Sequence, residues 1–171
     1  MIGKLWSWLG NAVPSRGLAV ALGREHLLQI EEHAARAYPE ECCGLLVGAR
    51  KAGIEVHDVQ AVANLNQERA RDRYQLDPRE IHRADVASEK EGFEVIGFYH
   101  SHPDHPAAPS PTDAELAWPG YVYLISSVTA RGAGETRAWR FDEETGRFDE
   151  LPIVVPSPLA LCCGCGISVG R

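Results

Sequence analysis

EVIGFYHSHPDHPAAPSPTD, residues 94–113, is the stretch that decides both the fold and the candidate site of this chain. Its first six residues are apolar enough to form a buried strand. Because side chains two residues apart on a strand point to the same face, His100 and His102 are expected to converge. Together with Asp113 they offer two nitrogens and one oxygen, a set that suits zinc and leaves a fourth position for water. An open set of this kind is typical of a catalytic site, since structural zinc sites are closed and usually contain several thiolates.

The same stretch predicts the start of a helix. Ser110 stands at the N-cap, Pro111 at N1 and Asp113 at N3, directly before the apolar-periodic AELAW. Taken alone, this pattern is more often an ordinary helix start than a catalytic element, and paired strand histidines are often only packed or solvated. The whole combination is much rarer, however, and is expected by chance in roughly one such chain in 10⁴ or fewer. The cap would also hold Asp113 rigidly at the helix N-terminus.

These residues resemble the motif of a known family. HSHP, six further residues, Ser110, two residues and Asp113 look like the JAMM motif of the MPN+ metallopeptidases, which include zinc deubiquitinases and their bacterial and archaeal relatives. That motif also needs an upstream glutamate, and Glu41 in PEECCGLLVG resembles it. No motif position departs from the pattern. The likeness runs from about residue 17 to residue 152 and includes Asn64, Tyr74 to Pro78, Tyr121 to Val128 and Arg137 to Arg140.

The resemblance implies that the chain is a zinc-dependent peptidase or isopeptidase. Zinc held by His100, His102 and Asp113 would lower the pKa of its bound water from roughly 15.7 to about 7. Glu41 would accept a proton from the attacking water and pass it to the leaving amine. Ser110 would donate a hydrogen bond to the oxyanion of the tetrahedral intermediate.

Other residues compete for these roles. Glu40 is as acidic as Glu41, and only the resemblance selects position 41. Cys43 is a candidate nucleophile with one of the motif histidines as its base, although CGLLVG looks buried and a buried thiol is usually inert. His105 could also ligate a metal, but its distance beyond the strand end favours a position on the rim. A nucleobase deaminase would need His-x-Glu and Pro-Cys-x-x-Cys, and the sequence contains neither.

Composition predicts a single globular domain. The chain has 171 residues, 44% of them hydrophobic and 24% charged, with a formal net charge of −7. Because the chain is acidic and has no long Lys/Arg cluster, nucleic acid is not an expected partner. Five cysteines crowded into two places do not form a secreted disulfide framework. The N-terminal MIGKLWSWLGNAV is a poor signal peptide and too short for a membrane span, so a cytoplasmic protein is expected.

Periodicity predicts an α/β fold in which helices flank a mixed β-sheet, and the resemblance implies the MPN/JAB domain with its cytidine deaminase-like architecture. The expected organisation is an N-terminal segment (1–16), one metallopeptidase domain (17–154) and a tail (155–171) that contains Cys162, Cys163 and Cys165. Strands are predicted at 17–22, 43–47, 54–62, 72–76, 94–100, 121–128, 135–141 and 147–154, the last two paired as a hairpin, and helices at 24–38, 78–90 and 111–117.

The expected substrate follows largely from analogy. This compact, lone domain resembles bacterial-type members of the family that cleave after the C-terminal Gly-Gly of sulfur-carrier proteins, which share the ubiquitin fold. The short motif loop leaves little room for the insertions with which eukaryotic deubiquitinases grip ubiquitin, so a ubiquitin-like or sulfur-carrier protein is favoured. The alternative is a non-catalytic MPN-type module that binds a ubiquitin-like partner. A homodimer is also possible in either case.

Overall fold

Residues 18–51 and 53–156, which the computed structural model describes, form one eight-stranded sheet and three helices. The predictions for residues 1–16 and for the cysteines of the tail lie outside these ranges. Along the chain the elements are β1 (Val20–Ala21), α1 (Arg24–Ala37), β2 (Cys43–Arg50), β3 (Ile54–Val62), α2 (Pro78–Glu89), β4 (Glu94–Pro103), α3 (Pro111–Leu116), β5 (Val122–Thr129), β6 (Gly132–Asp142), β7 (Arg147–Leu151) and β8 (Ile153–Val154).

The sheet is mixed and strongly curled. Its strand order is β7-β6-β5-β4-β2-β3-β1-β8, with β4 and β5 parallel to each other and β1 parallel to both of its neighbours. Only Pro152 separates β7 from β8 in the chain, yet these two strands lie at opposite ends of the strand order. The two ends of the sheet must therefore come together, and the sheet wraps around α1, which contacts β3, β4, β5 and β6.

Each face of the sheet carries its own core. One face packs against α1 through Ile30 and Ala34, and the other packs against α2 through Ala84. β2 supplies both, since Leu46 belongs to the first core whereas Leu45 and Val47 belong to the second. Burial on two sides explains why β2 and β4 read as continuous apolar runs rather than as alternating ones. The α/β class predicted from the sequence, with a mixed sheet flanked by helices, is confirmed.

One of the predicted strands is wrong and another is wrong in part. Residues 72–76 form no strand. Two backbone hydrogen bonds, from Leu65 N–H to Gln75 and from Asp72 N–H to Arg69, hold this segment. The side chain of Asn64 holds it as well, in place of a ladder. The predicted strand 147–154 is divided at Pro152, which has no N–H and cannot continue the pairing with β6. Beyond that proline the chain joins β1, so that Ile153 pairs with Val20.

The other boundaries differ mainly in length. β4 continues through Pro103, and this extension brings His102 into the strand that already contained His100. β1 is shorter than its predicted range, with Val20 and Ala21 alone in the ladder. Within the described ranges, none of the helices has both the length and the apolar character that crossing a membrane requires.

Candidate metal centre

The C-terminal half of β4 carries two of the candidate ligands. His100 and His102 lie two residues apart on this strand, which β2 and β5 flank, so both imidazoles leave the same face of the sheet. His100 is fully buried and His102 is 7% exposed. A strand in the middle of a sheet therefore fixes both rings in a protected position.

The N-terminus of α3 carries the third candidate ligand. Ser110 and Asp113 form the capping box that the sequence predicts, with hydrogen bonds in both directions between the cap and N3 positions. Asp113 Oδ2 accepts from the Ser110 backbone N–H at 2.7 Å and from its hydroxyl at 2.6 Å. These donors hold the carboxylate at the helix end, from where it faces the two histidines.

The three side chains converge. His100 Nε2 lies 3.0 Å from His102 Nε2 and 3.2 Å from Asp113 Oδ1, and His102 Nε2 lies 3.4 Å from Asp113 Oδ2. Two ligands of a tetrahedral zinc ion, each about 2.0–2.1 Å from it, are roughly 3.3 Å apart. The donor spacing therefore fits one small tetrahedral ion. His100, His102 and Asp113 form a possible metal site, with one donor atom from each within 4.8 Å of the others.

The tautomer of His102 is set by the loop that follows β4. His102 Nδ1 lies 3.0 Å from the carbonyl oxygen of Pro106, which can only accept, so Nδ1 carries the proton. In the neutral ring, Nε2 therefore carries a lone pair that points toward Asp113 and His100. A hydrogen bond from the far nitrogen to a backbone carbonyl is the usual way in which a metal-binding histidine is oriented.

His100 is held mainly by packing. The ring of Tyr74 stacks on the ring of His100, with the centroids 4.5 Å apart and the planes at 23°. Burial lowers the pKa of His100, so the neutral imidazole that a metal requires is favoured. Its Nδ1 is buried and has no hydrogen-bond partner within the described ranges.

The contacts between the three candidate ligands also determine the charges of His102 and Asp113. Burial works against the ionised form of His102, but in that form Nε2 also carries a proton and can donate to Asp113, and this interaction raises the pKa of the imidazole. Burial also opposes ionisation of Asp113, whereas hydrogen bonds from the two histidines hold the pKa of its carboxyl well below its usual range. The aspartate is therefore an anion, as a ligand for a cation must be.

Glu41 lies two residues before β2, beside this cluster. Its side chain is 7% exposed, whereas that of Glu40 is exposed, so burial separates the two candidates that the sequence offers. Burial raises the pKa of Glu41 to about 8, an effect that His102 opposes and Asp113 reinforces. Glu41 and Asp113 line the same pocket. This brings a protonatable carboxyl to the cluster that contains the candidate ligands.

The remaining candidates lie elsewhere. His105 is exposed and is not part of the cluster, in agreement with the rim position predicted for it. Cys43 Sγ contacts the carbonyl oxygen of Val62 on β3 at 3.7 Å. Burial, with smaller effects from Cys42 and Glu41, raises the pKa of the Cys43 thiol to about 12, so this group is protonated at neutral pH. A thiol in that state is a poor nucleophile.

Sequence patterns alone did not reveal the residues that support the site. Asn64 donates to the carbonyl oxygen of Glu41 at 3.2 Å and to that of Arg73 at 3.0 Å, and Tyr74 covers His100. Asn64 and Tyr74 lie in the stretches that carry the family resemblance, but neither their residue types nor their spacing in the sequence indicates a role at the site. The acceptor that orients His102 is the backbone carbonyl of Pro106, and the identity of the side chain at that position does not predict such a contact. These contacts depend on how the loops fold back over the sheet.

Comparison with known proteins identifies the family. Residues 23–142 match the family described as prokaryotic homologs of the JAB domain. The chain belongs to this family, and the JAMM/MPN resemblance read from the motif is confirmed. In solved structures, the chain is similar to a protein of Desulfitobacterium hafniense whose solution structure is known, with a TM-score of 0.71 and 31% identity over 81% of this chain and 93% of the other.

Several relatives of this chain have named activities. The chain is 41% identical over 143 residues to the desampylase of Haloferax volcanii, which covers 82% of this chain and 97% of that protein. It is 36% identical to a probable TtuB-protein conjugate cleaving protease of Thermus thermophilus, over 64% of this chain and 70% of the relative. It is 32% identical to the CysO-cysteine peptidase of Mycobacterium tuberculosis, over 72% and 82% of the two chains.

Proposed function

We propose that this protein is a zinc-dependent peptidase and isopeptidase that hydrolyses the bond after the C-terminal Gly-Gly of a ubiquitin-like or sulfur-carrier protein. The observation that carries the proposal is the convergence of His100, His102 and Asp113 at donor spacings that suit a tetrahedral ion. Glu41, which lines a pocket together with Asp113, supplies the acid and base group that such a reaction needs.

Zinc is the cation that this donor set suits best. Two neutral imidazole nitrogens and one carboxylate oxygen are common ligands of catalytic zinc and leave one position open. When bound, zinc supplies a Lewis acid that polarises an oxygen and lowers the pKa of water to about 7. In the protein, the bond to Pro106 selects the required tautomer of the neutral His102 ring, and Asp113 is already ionised.

Glu41 moves the proton in the proposed reaction. Burial disfavours its carboxylate, but a cation held by the neighbouring ligands would favour it. In that ionised form Glu41 takes a proton from the attacking water and returns it to the nitrogen of the leaving amine. Asn64 and Ala70 fix its backbone, since Asn64 donates to the Glu41 carbonyl and the Glu41 N–H donates to the carbonyl of Ala70 at 2.6 Å. The carboxyl therefore projects from a backbone segment just before β2 that is hydrogen-bonded on both sides.

Ser110 stabilises the negative charge that develops on the scissile carbonyl oxygen. Its hydroxyl donates to Asp113 in the structure, but the Ser110 backbone N–H donates to the same carboxylate oxygen. The hydroxyl can therefore turn toward the substrate while the backbone bond keeps the aspartate in place. A preformed donor aimed at the oxyanion favours the transition state over the bound substrate.

The class of substrate is inferred from the relatives and from the compact motif loop. The names of the three relatives describe removal of a protein modifier, cleavage of a protein conjugate, or release of cysteine from a protein. Residues 104–110 form a short loop between β4 and α3, with little room for an added recognition element. A small carrier protein with a flexible Gly-Gly end suits such a site better than a large folded chain of modifiers.

Mass spectrometry of carrier proteins tests the proposal directly. Fusions of ubiquitin-like and sulfur-carrier proteins, each ending in Gly-Gly and an added segment, are incubated with the zinc-loaded protein. We expect loss of the added segment after the second glycine, and no loss when a chelator is present. The Glu41→Gln variant serves as a matched control. Binding of the fusions without any cleavage, by protein that carries zinc, would instead support the non-catalytic module.

A further inference from the structure

The middle of the loop between β4 and α3 contains the acceptor that orients His102. The carbonyl oxygen of Pro106 accepts from His102 Nδ1 at 3.0 Å and from the Ala108 N–H at 2.8 Å. The loop is anchored at its start, where Asp104 N–H donates to Val128 on β5 at 2.7 Å, and at its end by the Ser110 cap. Between these anchors the backbone needs another support if Pro106 is to stay fixed.

A side chain on a distant strand gives that support. Trp139 on β6 donates from Nε1 to the carbonyl oxygen of Ala107 at 3.1 Å. Ala107 is 2% exposed, so the loop is pressed against the sheet at this point. In register, Trp139 pairs with Tyr123 on β5, which pairs with Phe98 on β4. Residues paired across neighbouring strands point to the same face of the sheet, so Trp139 shares a face with Phe98. His100 and His102 follow Phe98 at two-residue intervals on β4 and project from that same face.

We propose that Trp139 is a positioning residue for the candidate metal ligand His102. The inference rests on the proposed zinc site but adds a residue that has no contact with the ion. The indole N–H holds the Ala107 carbonyl, and the neighbouring Pro106 carbonyl in turn holds His102 Nδ1. Trp139 thereby acts on the direction of His102 Nε2 through two consecutive carbonyl groups of the loop.

The ring of Trp139 is itself held in place, which makes this support rigid. The guanidinium carbon of Arg137 lies over the indole, 4.8 Å from its centre, and Arg137 forms an ion pair with Glu150 on β7. Tyr123 belongs to the core against which the indole packs. An ordered donor loses little freedom when it forms a hydrogen bond, so the Ala107 carbonyl gains a fixed partner.

The test is the zinc affinity of the Trp139→Phe variant, measured by competition with a chromophoric chelator. Phenylalanine keeps an aromatic ring against the core but removes the N–H. Loss of a direct partner of a metal ligand weakens binding by roughly 10- to 100-fold, so we expect an indirect partner to cost about 3- to 10-fold. The visible spectrum of the cobalt-substituted variant should also change, because its bands report ligand geometry.

Trp118→Phe is the matched control. It makes the same change of ring at a half-exposed tryptophan outside the hydrogen bonds that lead to His102, and its zinc affinity should stay within about twofold of the native value. Native affinity in Trp139→Phe, or an equal loss in Trp118→Phe, would overturn the proposal. If the native protein itself binds no zinc, the proposed function fails first, and that result is distinct from either of these.

A measurement on the native protein covers the case in which Trp139→Phe does not fold. Coupling between two sites is reciprocal, so zinc must strengthen the Trp139 hydrogen bond by at least the factor by which this bond strengthens zinc binding. By NMR, solvent exchange of the Trp139 indole N–H should slow at least threefold or so on zinc loading. Exchange that is as fast as that of the half-exposed Trp118, or unchanged by zinc, contradicts the proposal.

Discussion

Ser110 and Asp113 hold each other in both directions: the Ser110 hydroxyl donates to Asp113 Oδ2 at 2.6 Å, and the Asp113 N–H donates to Ser110 Oγ at 3.2 Å. One serine thereby caps α3 and fixes the carboxylate that faces the two histidines. Because Ser110 belongs to both the helix cap and the candidate site, a substitution there must affect the stability of the protein and the proposed reaction together.

Replacing Ser110 by alanine should separate these two effects by their size. We expect the free energy of unfolding to fall by about 1 kcal/mol through loss of the cap, and the hydrolysis rate to fall by roughly 10²–10³ through loss of the oxyanion donor. Zinc should remain, because the backbone N–H still holds Asp113. Urea unfolding, metal analysis and rate measurements test this, with Ser110→Thr as the control that keeps the hydroxyl. A rate loss of less than about threefold would remove Ser110 from the mechanism.

Metal content should depend on three side chains. The purified protein is expected to contain about one zinc per chain, because the converging set can hold one ion. Alanine at His100, His102 or Asp113 should abolish zinc binding and hydrolysis. Alanine at His105, which is exposed, should leave both unchanged. Metal analysis by mass spectrometry decides the point, and full zinc occupancy in a double variant of His100 and His102 would disprove the assignment.

Glu41 and Glu40 should differ sharply despite their adjacency. Glu41→Gln keeps the shape of the side chain but cannot carry the proton, so the cleavage rate should fall by about 10² or more while zinc stays bound. Glu40→Gln should have little effect, since this side chain is exposed to solvent. Rates measured on both variants at equal zinc content are the test. Equal losses would mean that the glutamate was assigned one position off.

The two buried cysteines should be unreactive in the folded protein. Burial raises the pKa of Cys42 to about 11 and that of Cys43 to about 12, so both remain neutral thiols near pH 7. Iodoacetamide at pH 7.5 should leave the peptide that contains them unlabelled in the native state and label it in urea. Cys43→Ala should keep cleavage and cost about 1 kcal/mol of stability. Loss of hydrolysis in that variant, with zinc still bound, would revive the cysteine nucleophile.

The tail can be separated from the domain by two truncations. Removing residues 156–171 leaves β8 complete, so zinc content and cleavage should persist. Removing residues 152–171 also deletes the partner of β1 and should lower the unfolding temperature by several degrees. Thermal unfolding and cleavage assays with and without a thiol reductant compare the two. A tenfold loss of activity in the first truncation would give the tail a function.

The motif could be predicted from the sequence because each of its residues obeys a local rule. Strand periodicity places His100 and His102 on one face, and the capping box places Asp113 at a helix end. Glu41 was assigned by resemblance alone, and only burial in the folded protein distinguishes it from Glu40. Local rules therefore predict the candidate ligands, while the choice of Glu41 as the proposed proton carrier depends on tertiary packing.

The parts that sequence reasoning missed are nonlocal. Residues 72–76 lack a ladder partner because Asn64 ties this segment back to Glu41, and no pattern within the segment records that contact. The strand predicted at 147–154 contains Pro152, a visible warning, but its change of partner to β1 depends on how far the sheet curls. The contact of Trp139 is nonlocal as well, since its acceptor, the carbonyl oxygen of Ala107, lies 32 residues away in the sequence.

The pairing of β1 with β8 also determines when the domain can be completed during synthesis. The chain is made from the N-terminus, so Val20 can pair with Ile54 early, but its partner Ile153 is translated near the end of the domain. Until then the second edge of β1 presents unpaired backbone groups, a feature that invites association with other chains. A nascent chain that stalls before Ile153 therefore keeps an open edge that the finished protein has closed.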